Sequence, residues 1–278
     1  MRDVLRDHGF TARKSLGQHF ILDRNLTDKI AASARVPGAD LEAPLAGRTV
    51  LEIGPGPGGL TRSLLLKGAR VIAVEKDARS ADALGPLVAA SEGRLRLKIA
   101  DALTADLPAL APGAAIVANL PYNIATPLIV GWLKADAPAW WQSATVMVQK
   151  EVAERIVAAP RTDAYGRLAV LTAARAKAHI LFDVPPSAFV PPPKVVSSVV
   201  SLTPLAEPAS VSSAVLERVT AAAFGQRRKM LRSSLKALGE PLSLLEQASI
   251  APELRAEDVP VEGFIALAAA LQSRLEAL

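Results

Sequence analysis

The sequence predicts an α/β protein: a seven-stranded sheet, mostly parallel with one antiparallel edge strand, followed by a small all-α C-terminal domain. Three observations carry this. Short β-branched, apolar runs alternate with helix-period segments from residue 49 to 202, the rhythm of strand–helix–strand units. Four of the runs end in a Gly-rich turn, an acid or a short polar tip, where open parallel sheets present ligand-binding groups. Beyond a linker-like stretch over 204–213 no strand pattern occurs. The boundary is therefore set after residue 204, giving 1–204, with an N-terminal arm over 1–30, and 205–278.

Composition narrows the functions open to the chain. Its 278 residues suit one large domain and one smaller one, and a hydrophobic fraction of 50% supports a large core. No apolar run is long enough to span a bilayer, and residues 1–14 are charged without the apolar centre of a secretion signal. A soluble cytoplasmic protein, not engaged with a membrane, is expected. The absence of Cys excludes disulfides, a thiol nucleophile and a thiolate metal site. His8, His19 and His179 have no ligand spacing, so no metal is expected. The net charge of +5 is compatible with a nucleic-acid partner.

In chain order, the arm is basic, then apolar, around Gly17. Asp23 is placed to cap a helix from about 24 to 34. The arm is either a plain lead-in or a wall over a ligand pocket that offers Gln18 and His19 as donors. A strand over 49–53 leads into Gly54, Gly56, Gly58 and Gly59 and then a helix from about 60 to 66. Such a turn lets a ligand approach the backbone and meet the free N–H groups of the helix start. It fits G-x-G-x-x-G, as a dinucleotide fold would, and lacks the ending of a triphosphate loop. Glu52, inside that first strand, is an acid that burial makes costly unless a cation pairs with it; the amino group of a methionine-type cofactor would serve. The strand over 70–75 ends in Glu75, which can grip both hydroxyls of a ribose or cap the following helix, a task Asp77 can also perform. The strand over 95–99 is followed by Asp101, placed to accept an adenine amino group.

The fourth strand ends in Asn119, Leu120, Pro121 and Tyr122. The Asn119 amide oxygen and the Leu120 carbonyl can accept two N–H bonds from an exocyclic amine, and Tyr122 offers an aromatic face for a base. Pro121 stiffens the tip. By itself this is also a polar turn closing a strand; the strand ends upstream give it meaning. Further strands are expected over 144–150, 178–184 and 195–202, the last two as a hairpin, with helices over 126–134, 151–159 and 166–174. Phe189, in a Pro-rich loop, is either a core plug or a second wall for the base. Helices follow at about 214–224, 228–238, 242–248 and 261–276. The segment 226–236 has five positive charges and no acid, and is either a solvated helix face or a phosphate-binding surface.

These stretches resemble a known family. KSLGQHFILD (14–23), VLEIGPGPGGLT (50–61), VIAVEKD (71–77), NLPYNIATPLI (119–129), VPPSAFVPPPKVVSSVV (184–200) and FGQRRKMLRSSL (224–235) are similar, in order, to the rRNA adenine N6-dimethyltransferases, specifically the small-subunit branch. The resemblance implies a Rossmann-like methyltransferase sheet and S-adenosylmethionine as methyl donor. It implies two adjacent adenines in the 3′-terminal hairpin loop of 16S rRNA, within the immature small ribosomal subunit, as substrate of a monomeric enzyme. By position it places cofactor contacts at His19, where the family often has Asn, and at Ile21, Gly54, Glu75, Asp101 and Asn119. Catalysis falls to Asn119, Leu120, Pro121, Tyr122 and Phe189. RNA phosphates are assigned to Arg227, Arg228, Lys229 and Arg232 of the helical domain. Relatives acting on large-subunit rRNA share the tip but are less similar in the Pro-rich loop and the basic segment.

Overall fold

The structure, a computed structural model, describes residues 17–135 and 138–277; the basic start of the arm lies outside them. The strands are β1 (Phe20–Ile21), β2 (Thr49–Ile53), β3 (Arg70–Glu75), β4 (Leu95–Ile99), β5 (Ala114–Asn119), β6 (Trp141–Gln149), β7 (Ala176–Val184), β8 (Phe189–Val190) and β9 (Ser197–Pro204). Seven form one sheet in the order β4-β3-β2-β5-β6-β9-β7, as expected in class and number. The pairs from β4 to β6 are parallel, and β9 runs antiparallel to β6. β9 therefore stands between β6 and the edge strand β7. β1 and β8 form a separate antiparallel pair that sequence periodicity, blind to two-residue strands, does not reveal.

Burial follows position in the sheet. β5, flanked on both sides, is buried from Ala114 to Ala118 and emerges only at Asn119. β4, at an edge, keeps Leu95 inside and exposes Arg96 and Lys98. Such strands read as continuous apolar runs in the centre and mixed ones at the rim. The helix Arg24–Ser33 begins where expected: Asp23 Oδ1 accepts the Asn25 N–H at 2.9 Å. It buries Thr27, Ile30 and Ala31, and full burial of a side chain such as Ile30 contributes roughly 1.5–3 kcal/mol.

Two helices depart from expectation. The helix expected from about 126 starts at Tyr122, because Pro121 and not Pro127 stands at its N-terminus; Pro127 is carried inside Tyr122–Lys134. Of the helix expected over 228–238, only Leu231–Ser234 is α-helical, continued by the 3-10 turn Leu235–Leu238. Met230 bridges to Arg255, and the Leu231 N–H bonds the Leu254 carbonyl, so the backbone here pairs sideways. Cations at a helix start also oppose its dipole.

The chain forms two compact units, 1–153 with 179–204, and 154–178 with 205–278. The expected boundary after 204 is one border of these units. Residues 154–178, expected in the first domain, group with the second unit. Arg175 explains part of this: its guanidinium donates to the carbonyls of Ala209 and Val211 and to Ser213 Oγ, tying the linker to helix Arg167–Arg175. Tyr165, fully buried, does the same by donating to the Val259 carbonyl at 2.9 Å and meeting the Phe224 ring edge-on. Among the described residues no helix is long and apolar enough to cross a membrane.

Candidate active site

A cavity of about 390 Å³ opens in the first unit at the C-terminal ends of β2, β3, β4 and β5. β2 has β3 on one side and β5 on the other, so the crevice lies where strand order reverses, the usual ligand position of an open α/β sheet. Four consecutive features of the sequence meet there: the Gly-rich turn, Glu75, Asp101 and the tip 119–122. From the arm, Gln18, His19 and Ile21 join the lining.

Gly54, Gly56 and Gly58 in the turn after β2 all take positive φ, and the first two abut residues that line the cavity. Gly54 has φ +70°, and a Cβ there would stand 3.3 Å from the Pro121 ring; Gly56 has φ +53°, and a Cβ would stand 3.0 Å from the Phe20 ring. Gly56 N–H donates to Glu75 Oε2 at 3.1 Å, and Asp77 N–H donates to Oε1 at 2.9 Å. Glu75 thus clamps the turn to the end of β3 while still lining the cavity. Burial raises its pKa, and these N–H donors oppose the rise. The helix that follows has Ala78 at its N-cap, and Asp77 Oδ1, not Glu75, accepts the Arg79 N–H at its start, at 3.2 Å. The Arg79 guanidinium, despite some desolvation, holds Asp77 down at about 2, helped by a bond from Gln18 Nε2.

Asp101 accepts from Lys76 Nζ at 2.8 Å and from Leu103 N–H at 3.0 Å, and Lys76 is the main cause of its lowered pKa. Glu52 is different. It is 1% exposed, lines the cavity, and its Oε2 has no hydrogen-bond partner among the described residues. Burial pushes its pKa up to about 8; the nearby Thr61 hydroxyl pulls the other way, and the Glu75 charge adds to the rise.

At the tip, Asn119 Nδ2 donates to the His19 backbone carbonyl at 3.0 Å. That bond fixes the amide so that Oδ1 remains as acceptor. The Pro121 carbonyl takes the N–H groups of Ile124 and Ala125 at the helix start, while Leu120 is anchored by its own N–H to the Met147 carbonyl. Tyr122 is held by a short hydroxyl contact with Ser197 Oγ, and burial raises its pKa. Its ring stacks on His19, with centroids 5.3 Å apart and planes at 30°. His19 Nδ1 is 2.8 Å from the Pro191 carbonyl.

Not every expected residue arrives at the cavity. Phe189, the first residue of β8, is 2% exposed, packs in the hydrophobic core, and is not among the lining residues. The ring that meets Tyr122 is His19, and Phe189 meets His19 edge-on with centroids 6.4 Å apart. Arg227, expected on RNA, is instead engaged within its own unit: Nε pairs with Glu257 at 3.0 Å, and its other nitrogens donate to the carbonyls of Asp163 and Thr162. Arg228 and Lys229 are exposed and carry no ion pair among the described residues; Arg232 is exposed and 3.7 Å from Glu253. Sequence reasoning misses two contributors. Lys76 follows the strand-end acid directly and was legible as a charge partner. Ser197, 75 residues from Tyr122, has no local signal. Among the described residues no group of three or more His, Asp or Glu side chains is placed to hold a metal ion.

Comparison with known proteins agrees with this geometry. A family model described as ribosomal RNA adenine dimethylase matches residues 9–273. The chain is 57% identical over 273 residues to the ribosomal RNA small subunit methyltransferase A of Azorhizobium caulinodans, covering 96% of this chain and 91% of that one. It is 55% identical over 275 residues to the protein of the same name from Rhizobium etli, covering 98% and 97%. Among solved structures it is similar to a dimethyladenosine transferase from Plasmodium falciparum, with a TM-score of 0.75, 26% identity and coverage of 90% and 96%. The 23S rRNA methyltransferase ErmE is similar with a TM-score of 0.66, 29% identity and coverage of 91% and 99%.

Proposed function

The chain belongs to the ribosomal RNA adenine dimethylase family, and from that premise we propose that it dimethylates N6 of two adjacent adenines in the 3′-terminal hairpin loop of 16S rRNA. The enzyme acts in the cytoplasm as a monomer on the immature small subunit and takes part in the biogenesis of that subunit. The observation that carries the reading is the Asn119 amide, whose Nδ2 is taken by the His19 carbonyl so that Oδ1 is left as an acceptor, in a cavity that Leu120 and Tyr122 also line.

The residues fit S-adenosylmethionine. Glu52 offers a buried, unpartnered oxygen for an ammonium group. Gly54 and Gly56 leave room that a Cβ would fill. Glu75 is assigned to the ribose hydroxyls and Asp101 to the adenine amine, with His19 and Ile21 as the wall from the arm. When bound, the cofactor supplies an electrophilic methyl group on a sulfonium.

The chain's own residues prepare the nucleophile. An adenine N6 is a weak one because its lone pair is delocalised into the ring. Accepting hydrogen bonds from its two N–H groups at Asn119 Oδ1 and the Leu120 carbonyl favours a pyramidal nitrogen with a localised pair. No side-chain base is needed before attack, since the methylated cation is acidic enough to lose its proton afterwards. Rate then comes from positioning and electrostatic fit. The target base must leave its stack and lie against Tyr122. Pro121, contacting Gly54, keeps the tip rigid against the Gly-rich turn. Phe189 supports β1, and with it the His19 carbonyl, through the β1–β8 pairing. The exposed cations Arg228, Lys229 and Arg232 are assigned to RNA phosphates.

The test is to incubate small ribosomal subunits lacking the modification with the protein and S-adenosylmethionine, and to read the rRNA 3′ region by mass spectrometry. Two adjacent N6,N6-dimethyladenosines are expected. Methyl found only on naked 23S rRNA would move the assignment toward the activity named for ErmE.

A further inference from the structure

Glu52 is the one acid of the cavity that neither a cation nor a backbone N–H compensates among the described residues; only the nearby Thr61 hydroxyl opposes the effect of burial. Glu52 is 1% exposed near the end of β2, and its Oε2 has no hydrogen-bond partner among the described residues. The charged groups around it are already engaged or of the wrong sign. Glu75 on β3 adds a second carboxylate, held by two backbone N–H groups. Lys76 is tied to Asp101 at 2.8 Å. His19 on the arm turns Nδ1 to the Pro191 carbonyl. Thr61, on the helix Gly59–Leu66, presents a hydroxyl whose oxygen likewise has no hydrogen-bond partner. An isolated carboxylate in such a place is strongly disfavoured, and the group stays neutral by keeping its proton.

We propose that Glu52 is protonated in the ligand-free protein and loses that proton when the ammonium group of the methyl donor enters the cavity, so that cofactor binding and release of one proton are a single event. This rests on the donor reading above. The balance is simple: neutral carboxyl and ammonium become a carboxylate–ammonium pair, and the proton goes to solvent. The raised pKa of about 8 agrees with a group that is protonated at neutral pH. The consequence is selectivity inside the cavity. A ligand with adenosine and sulfur but no ammonium cannot draw the proton off and does not gain the ion pair.

The experiment is calorimetric titration of the wild-type protein with S-adenosylhomocysteine, in buffers of different ionisation enthalpy at pH 6.5. It is run in parallel with 5′-deoxy-5′-methylthioadenosine, which lacks the amino-acid end. Glu75 and Asp101 face parts common to both ligands, so their contributions cancel. About one more proton is expected to leave with S-adenosylhomocysteine, whose affinity should rise about tenfold per pH unit between roughly pH 5.5 and 7. Glu52→Gln should remove the difference in proton release and flatten the pH dependence, while binding the methylthio nucleoside as the wild type does. Equal proton release from the two ligands in the wild type overturns the proposal, as does persistence of the difference in Glu52→Gln. Binding of neither ligand overturns the donor reading and this proposal with it; intact proton release without methyl transfer to any rRNA overturns the substrate reading alone.

Discussion

At the scale of single residues, the site works by giving each polar group one task. Asn119 uses its Nδ2 on the His19 carbonyl, which leaves Oδ1 for the proposed bond from the substrate amine. Tyr122 uses its hydroxyl on Ser197 and keeps its ring. Replacing Tyr122 by Phe keeps the stacking face and loses only the Ser197 contact, so a loss of transfer below about tenfold is expected in steady-state assays; Tyr122→Ala should lose far more, since a stacked base is worth about 1–3 kcal/mol. Glu52 also predicts a pH dependence of folding. Its folded-state pKa of about 8 lies above the value of 4.5 for an unperturbed carboxyl. The stabilisation from holding the proton is therefore fully present below about pH 4.5 and is lost as pH rises through about 8, each unit between costing up to ~1.4 kcal/mol. Denaturant midpoints of the ligand-free protein should fall across that window, and Glu52→Gln should reduce the fall.

At the scale of elements, the strand ends carry the site and the sequence makes most of them legible. β2, β3, β4 and β5 stand within a few residues of their expected places because buried parallel strands are written as short apolar runs. Glu75 and Asn119 are the last residues of β3 and β5, and the Gly-rich turn and Asp101 stand just past the ends of β2 and β4. What was not legible depends on contacts remote in sequence. The β1–β8 pair joins two residues near 20 to two near 190, and it is what brings the His19 carbonyl to Asn119. The Pro-rich setting of Phe189 left it open between a core plug and a second wall for the base, because its burial is decided by that pairing. Gly54→Ala tests the turn directly. With φ +70° and the Pro121 ring 3.3 Å from the new Cβ, it should weaken binding of S-adenosylhomocysteine at least about tenfold by calorimetry and leave the overall fold intact by circular dichroism.

At the scale of the whole molecule, the basic segment separates into two roles. Arg227 closes a structural network with Glu257, Thr162 and Asp163 inside the second unit, whereas Arg228 and Lys229 are exposed cations. Arg227→Ala should destabilise the protein by roughly 1–3 kcal/mol, the cost of leaving polar partners unmatched, as read by denaturant unfolding. Replacing Arg228 and Lys229 together by Glu should leave stability nearly unchanged, weaken rRNA binding and lower its salt dependence. The run of charge was visible in sequence, but the division was not, because nothing local marks Glu257 as the partner of a residue 30 positions away.

The central claim is that the tip after β5 activates the substrate amine while the other strand ends hold the cofactor. It is tested most directly by Asn119→Ala, measured on unmodified small subunits by mass spectrometry and on S-adenosylhomocysteine by calorimetry. The account predicts no detectable dimethyladenosine, with cofactor affinity within about threefold of wild type. Dimethyladenosine formed at the wild-type rate, or loss of cofactor binding as severe as the loss of transfer, would contradict it.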